Sequence, residues 1–415
     1  MASGRLTLAF LDETARLARM DHGRVRRELV VTVGIVAFIA IAIIKPWGGE
    51  SGPAPATTGQ PTAGPPVTAA PTKPIPAALA GRILETIPIA GAPLSPSEAS
   101  SGLWYGGGAL DLTMVDTTTG ETTSIRLDPK LFPQTISMAA DGVDLWLTGS
   151  EDHSLARLQP TTGEIVERIA VRVAAPYVLD DLFGITSDAG TLWAVGLIHS
   201  TKPVAIESPA GSSCCDSLAA QVLIRAAIDT SRVDEMHRLD GALAMAIGFG
   251  SVWVLESPES SEGRFILVRL DPRTGVPVAT MGLPDFDVGP TGCGPCVSGV
   301  RIGADGVWLA LGPTGHVIRI DPAQNRIVAE IDVGGSLSDL TVGPDGSVWA
   351  VGASASENTC VPSTGFVARI SPERNELAGL VPVDCPVSVA VSNGDVWVGG
   401  YVERMAVIQR IRPTR

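Results

Sequence analysis

Between Gly303 and Gly352 the chain alternates apolar and polar residues in short runs, and turn-forming residues separate the runs. Ser338–Val342 alternates, Pro344-Asp345-Gly346 turns the chain, and Ser347–Val351 alternates again. His316–Ile320 and Arg326–Val333 are two further runs on either side of Asp321-Pro322-Ala323-Gln324-Asn325. A period of two predicts half-buried strands, not helices. The turn recurs as Asp271-Pro272-Arg273-Thr274-Gly275, Gln159-Pro160-Thr161-Thr162-Gly163 and Asp116-Thr117-Thr118-Thr119-Gly120. Proline presets φ in such a turn, and a final Gly or Asn accepts positive φ. The predicted unit is four antiparallel strands, each about five to seven residues long.

The unit repeats. Gly306-Val307-Trp308-Leu309 returns as Gly346-Ser347-Val348-Trp349-Ala350, and the same phrase centres on Trp104, Trp146, Trp193, Trp253 and Trp397. Spacings of 42, 47, 60, 55, 41 and 48 residues between these tryptophans mark a four-stranded repeat of propeller length. Each unit is apolar on both faces, so it is stable only when stacked on its neighbours, with a tryptophan on the second strand as a wedge. Lettering the strands A to D from the axis outward, Arg82–Ile89 resembles a strand D without its own A, B and C. Val387–Val391, Asp395–Val398 and Met405–Ile411 supply the missing three at the other end of the chain. The expected fold is therefore an all-β, seven-bladed β-propeller over residues 82–415, closed by its N-terminal strand, which removes exposed sheet edges. Arg157, Arg269, Arg319, Arg369 and Arg410 recur two residues before the C→D turns, which suggests pairing at repeat level and not a binding site.

In this topology D→A and B→C connections share one face, and A→B and C→D connections share the other. The first face carries the long insertions: Arg172–Asp181, Leu197–Leu218, Glu256–Gly263, Met281–Ser298 and Ala353–Gly365. The other face has only tight turns. Function on a rigid scaffold sits on its variable loops, so a small-molecule ligand or a protein partner is expected on the loop-rich face.

Ahead of the repeats, Leu29–Ile44 has no charged residue, Lys45 can snorkel and Trp47 suits an interface. Residues 29–47 are expected to form a single transmembrane signal-anchor helix. Arg24, Arg26 and Arg27 precede it and only Lys45 follows closely, which places residues 1–28 in the cytoplasm and the propeller outside the cell membrane. A cleaved signal peptide is the alternative, with an unusually long charged region and a poor cleavage site at Lys45-Pro46-Trp47. Residues 48–81 are dominated by Pro, Ala, Thr and Gly and read as a disordered linker.

Composition refines this picture. Gly is frequent at 46 residues, as in a turn-rich all-β body, and the net charge of −14 excludes a nucleic-acid partner. All six cysteines fall on the loop-rich face: Cys214, Cys215, Cys293, Cys296, Cys360 and Cys385. An even number on an exported body reads as disulfides. Cys360 and Cys385 lie in neighbouring connections and are the expected pair. Cys293-Gly294-Pro295-Cys296 matches the thioredoxin string, but a strand and not a helix follows it, which favours a loop clasp over a redox centre. Cys214 and Cys215 form either a vicinal bridge or links to other loops. A Cys₄ zinc site is a minor alternative at an oxidising location.

His153, His199 and His316 are weak catalytic candidates at B→C connections, and Glu151, Asp152, Asp180 and Asp181 either line a cation site or form a solvated acidic rim. There is no paired-histidine motif, phosphate loop, nucleophile elbow or triad, so no cofactor and no resident metal is expected. Gly346–Val351 and Arg269–Gly275 resemble the bacterial seven-bladed propellers of the YVTN-repeat, quinoprotein-amine-dehydrogenase-like and streptogramin-lyase-like group. That group includes binding modules, dehydrogenase subunits and lyases. The resemblance implies an alternative function, a metal-assisted lyase or hydrolase with a His and an acidic residue at the axial mouth. The leading expectation is a membrane-tethered, extracytoplasmic binding propeller and not an enzyme.

Overall fold

The computed structural model describes residues 82–94, 96–99, 102–106, 110–132, 137–148, 152–201, 219–239, 241–256, 265–284, 297–354 and 364–413. The expected transmembrane helix and linker lie outside them. Among the described residues no helix is long and apolar enough to cross a membrane.

The strands form seven four-stranded sheets, each antiparallel, and the protein is a seven-bladed β-propeller. Six blades use consecutive strands. The fifth, for example, runs Val297–Gly303, Gly306–Leu311, His316–Asp321 and Arg326–Asp332. The seventh joins Pro386–Ser392, Asp395–Val402 and Met405–Arg412 to Arg82–Pro88 from the other end of the chain. Arg82 pairs with Arg412 and Pro88 with Val407, so the N-terminal strand is the outer strand D, as the repeat arithmetic required.

The core is partitioned by blade. Seven buried clusters each join adjacent blades; Trp308 and Val317, for instance, meet Leu340, Val348 and Phe366 across the fifth and sixth. All seven repeat tryptophans are at most 2% exposed. Their indole N–H groups need partners once buried. Trp253 donates to Gly248 O at 3.1 Å, Trp308 to Gly303 O at 2.9 Å and Trp397 to Ser392 O at 3.3 Å, while Trp146 uses Asp141 Oδ2 at 3.0 Å and Trp349 uses Ser347 Oγ at 2.8 Å.

The recurring arginines do more than surface pairing. On strand C, directly opposite the tryptophan, Arg157, Arg269, Arg319, Arg369 and Arg410 lie over the indoles at 5.9, 5.0, 5.2, 5.6 and 5.1 Å from the ring centres. Arg225 stands opposite Trp193 in the same register and belongs to the set, which the sequence pattern had missed. Several of them then reach the C→D turn of the next blade. Arg269 Nη1 donates to Pro322 O at 2.6 Å and Asn325 Oδ1 at 2.9 Å; Arg319 Nη1 repeats this with Pro372 O at 2.6 Å and Asn375 Oδ1 at 2.8 Å. Asn325 and Asn375 hold φ of 50° and 53°, so they provide the left-handed turn and the acceptor together. Where that position is Gly275, Arg225 takes the carbonyls of Pro272 and Arg273 instead, at 3.1 and 3.4 Å. The turns are themselves fixed by their leading aspartate. Asp271 Oδ1 accepts the N–H groups of Arg273 and Thr274, both at 2.9 Å, and these donors hold its pKa below the usual carboxylate value.

Two expected connections are shorter than the sequence suggested. Leu197–Ser200 continues strand B of the third blade, which spans Thr191–Ser200, because Ile198 and Ser200 keep alternating into the core. Tyr177–Asp181 likewise belongs to strand A, Tyr177–Asp188. Met281, Gly282, Val297, Ser298, Ala353, Gly365 and Glu256 are also strand residues, so the insertions are one or two residues tighter at those ends.

Arg319→Ala should destabilise the body by about 2 kcal/mol, the value of charge-assisted hydrogen bonds that lose their donor. Arg319→Lys should recover less than half, because an ammonium cannot both stack and fork. Chemical denaturation checks this, with the exposed Arg126→Ala as a control that leaves the midpoint unchanged.

Candidate functional site at the axis and the loop-rich rim

Strand A of each blade faces the axis, and neighbouring A strands do not pair through their backbones. Side chains join them instead. Ser97 Oγ donates to Met138 O at 3.3 Å, the Ser187 hydroxyl to Ala140 O, and Ser338 Oγ to Pro386 O at 3.2 Å. Between the first five blades these strands enclose a cavity of about 510 Å³, lined among others by Ser97, Glu98, Thr186, Met245 and Arg301.

Arg301 is fixed there by Asp339 of the next blade, with Nη2 at 2.8 Å from Oδ1. Asp339 is buried and also accepts the Leu340 N–H at 2.8 Å and the Val389 N–H at 3.0 Å. Burial pushes its carboxyl upward, against the opposing pull of Arg301 and the two N–H donors. One carboxylate thus ties together strands A of the fifth, sixth and seventh blades. Glu98 is engaged on another side of the axis, accepting from Ser392 Oγ at 2.9 Å. The result is a polar channel with one oriented guanidinium, able to hold a small polar molecule.

The second feature is on the loop-rich rim. The extended hairpin of the third blade carries β-bulges beside Asp180 and Gly184, and the first turns Asp180 toward its cross-strand neighbour. His199 Nδ1 lies 2.7 Å from both carboxylate oxygens of Asp180. Asp181, next in sequence, is pushed upward mainly by burial; the Leu182 N–H, 2.7 Å from Oδ1, and the nearby His153 oppose the shift, while Asp180 adds to it. The sequence placed His199 in a loop; its strand position is what aligns it with Asp180.

Two of the three candidate histidines share the Asp180–Asp181 pair, His199 through its contact with Asp180 and His153 through its charge near Asp181, and His316 does not join them. His153 belongs to the second blade, His199 to the third, and His316 begins strand C of the fifth, where Nδ1 is 2.7 Å from Thr314 O and Nε2 is 3.8 Å from Glu330 Oε1 on the outer strand. Asp152 is occupied by Ser154 Oγ at 2.6 Å and Arg168 Nη1 at 3.2 Å. No group of three or more His, Cys, Asp or Glu able to hold a metal ion occurs among the described residues. Glu151, Cys214, Cys215, Cys293, Cys296 and Cys360 lie outside them. Cys385 is buried at the start of the last strand A and is disulfide-bonded.

No protein-family model matches the chain, and no curated protein matches it. Among solved structures 1008 chains match, so the likeness marks a widely used architecture and singles out no activity. One is a chain in the crystal structure of a mitotic checkpoint complex, with a TM-score of 0.52 and 10% identity, covering 85% of this chain and 99% of that one. At that identity the likeness establishes the seven-bladed fold.

Arg301→Ala would leave the Asp339 carboxylate buried without its cation, so it should cost about 3 kcal/mol, the low end for a broken buried pair because Arg301 remains partly open to water. Pairing it with Asp339→Asn should restore more than half of the loss. Urea midpoints of the two single variants and the double variant test the coupling.

Proposed function

We propose that this protein is a membrane-tethered, extracytoplasmic propeller that binds a ligand or protein partner through its loop-rich face. The observation that carries the reading is where the chain enters the ring. Arg82 opens a strand D and pairs with Arg412, so the N-terminal segment joins the propeller on the face of the A→B and C→D turns. The linker expected at 48–81 would then join the propeller at the turn face and leave the opposite face untethered. That opposite face holds every long insertion, while the turn face is occupied by the arginine latches that join blades.

Disulfides among the six cysteines, with Cys360 joined to Cys385, would stiffen the exposed loops and reduce the ordering cost of binding. Partner binding also suits the architecture: the matching solved chain was crystallised within a multi-protein assembly, the mitotic checkpoint complex.

A second reading rests on the His199–Asp180 contact. A carboxylate on Nδ1 orients an imidazole for proton transfer at its other nitrogen, as a lyase or hydrolase at the axial mouth would need. The two readings predict different losses. Replacing residues 202–217 and 285–296 with Gly-rich turns should abolish partner capture on cells and leave the melting temperature within about 2 °C, since surface loops tolerate change. His199→Gln should leave capture intact. Photo-cross-linkers placed in those two segments should give adducts, and linkers at Thr230 and Val276 on the turn face should not. Adducts confined to the turn face would overturn the binding reading, and a lyase or hydrolase turnover that His199→Gln abolishes while capture is unchanged would favour the second.

A further inference from the structure

Arginine latches run from the third, fourth and fifth blades to the next, and Arg157 and Arg410 instead bind Asp144 and Asp395 of their own blades. The arginine of the sixth blade, which faces the ring closure, has neither kind of partner among the described residues. In the fifth blade Asp321 pairs with Arg326 and in the sixth Ser371 pairs with Glu376; residues 322–325 and 372–375 close those two turns. They supply the proline carbonyl and asparagine side chain that receive Arg269 and Arg319. The equivalent pair in the seventh blade is Arg412 with Arg82, which come from opposite ends of the propeller. No four-residue turn joins them.

Arg369 is the arginine that this missing turn should receive. It stands opposite Trp349 in the register that Arg319 has to Trp308, and its guanidinium lies 5.6 Å from the ring centre. Unlike Arg269 and Arg319 it makes no hydrogen bond or ion pair to a described residue, although Asp345 and Glu373 are near enough to feel its charge. Beside it, between the sixth and seventh blades, is a cavity of about 370 Å³ lined by Asp345, Trp349, Asn393, Asp395, Arg412 and Pro413. Asp395 is spent on Arg410 Nε at 2.6 Å and Arg412 Nε at 2.8 Å, so the cavity offers a donor with no partner among the described residues and without a strong net charge. A neutral acceptor fits it better than an anion.

We propose that residues 74–81 of this chain dock in the seam cavity and present main-chain carbonyls to Arg369, completing as a split turn the latch that Arg225, Arg269 and Arg319 make with a continuous one. Three observations select this occupant. Residue 81 is covalently bonded to Arg82, whose strand partner Arg412 lines the cavity, so its local concentration there is far above that of any separate peptide. The segment Pro74-Ile75-Pro76-Ala77-Ala78-Leu79-Ala80-Gly81 has no charge to desolvate. Its two prolines lack N–H groups, so it carries more acceptors than donors. In the sequence Gly81 immediately precedes strand D, as Asn325 and Asn375 do in their blades, and it lacks their side-chain acceptor. The inference does not depend on a membrane anchor, and it sets the line along which the linker leaves the propeller.

Hydrogen exchange on the full chain tests it. The amides of residues 77–81 should exchange at least about tenfold more slowly than those of residues 48–70, and Arg369→Ala should remove that protection while Arg269→Ala leaves it. A second variant covers the case in which Arg369→Ala does not fold. Gly81→Asn supplies the missing carboxamide and should raise the melting temperature by about 2 °C, but not in an Arg369→Lys background. Exchange at 77–81 as fast as in the linker, protection that survives Arg369→Ala, or a Gly81→Asn effect independent of Arg369 would each overturn the proposal. Any of these results would leave the cavity open to another occupant and leave the binding reading of the loop-rich face untouched.

Discussion

A tryptophan buried between two blades, braced at most interfaces by an arginine across its face, is the contact on which the rest of this structure depends. Each blade is apolar on both sides, so it is stable only against its neighbours, and burial of a large aromatic on every second strand contributes several kcal/mol per interface. The hydrophobic term is non-directional and would tolerate sliding. The guanidinium adds direction, because Arg269 and Arg319 find their two acceptors only when the neighbouring turn is in register. The same residue pair therefore stabilises the stack and fixes its geometry.

This arrangement divides the two faces by physical role. Tight A→B and C→D turns supply carbonyls and side chains to the latches, so they cannot vary freely in length. The D→A and B→C connections have no such duty and can be lengthened without disturbing the stack. The third blade shows how far this goes: its first two strands extend to 12 and 10 residues, which is what lets Asp180 meet His199. Near the axis, Asp339 performs the joining role that the arginines perform further out, and it does so with backbone N–H groups from its own and the next blade.

Much of the fold was legible in the sequence because its main determinants are large and periodic. Trp308 and Trp349 announce strand B, Asp-Pro turns announce the C→D corner, and Arg82–Ile89 declares itself a strand D by likeness to Arg326–Val333. Arg225 escaped because Ala227-Ile228-Asp229-Thr230-Ser231 has neither the proline nor the glycine that marks the other turns. The His199–Asp180 contact escaped for a different reason. Two bulges interrupt the period of two along Tyr177–Asp188, so alternation could not show where the strand began or which way Asp180 points. Asp339 was invisible because nothing local separates a buried, paired carboxylate from a solvated one.

The central claim is that the ring is held by blade-to-blade contacts that only a closed circle completes, with the N-terminal strand as the closing piece. Comparing the thermal unfolding of two deletions within the full chain tests it most directly. Removing residues 82–89 takes Ile87 from the interface between the seventh and first blades and leaves Met405–Arg412 as an open edge, so the melting temperature should fall by roughly 10 °C or more. Removing residues 51–72 takes nothing from any blade and should leave it unchanged. Equal melting temperatures for the two proteins would contradict the account.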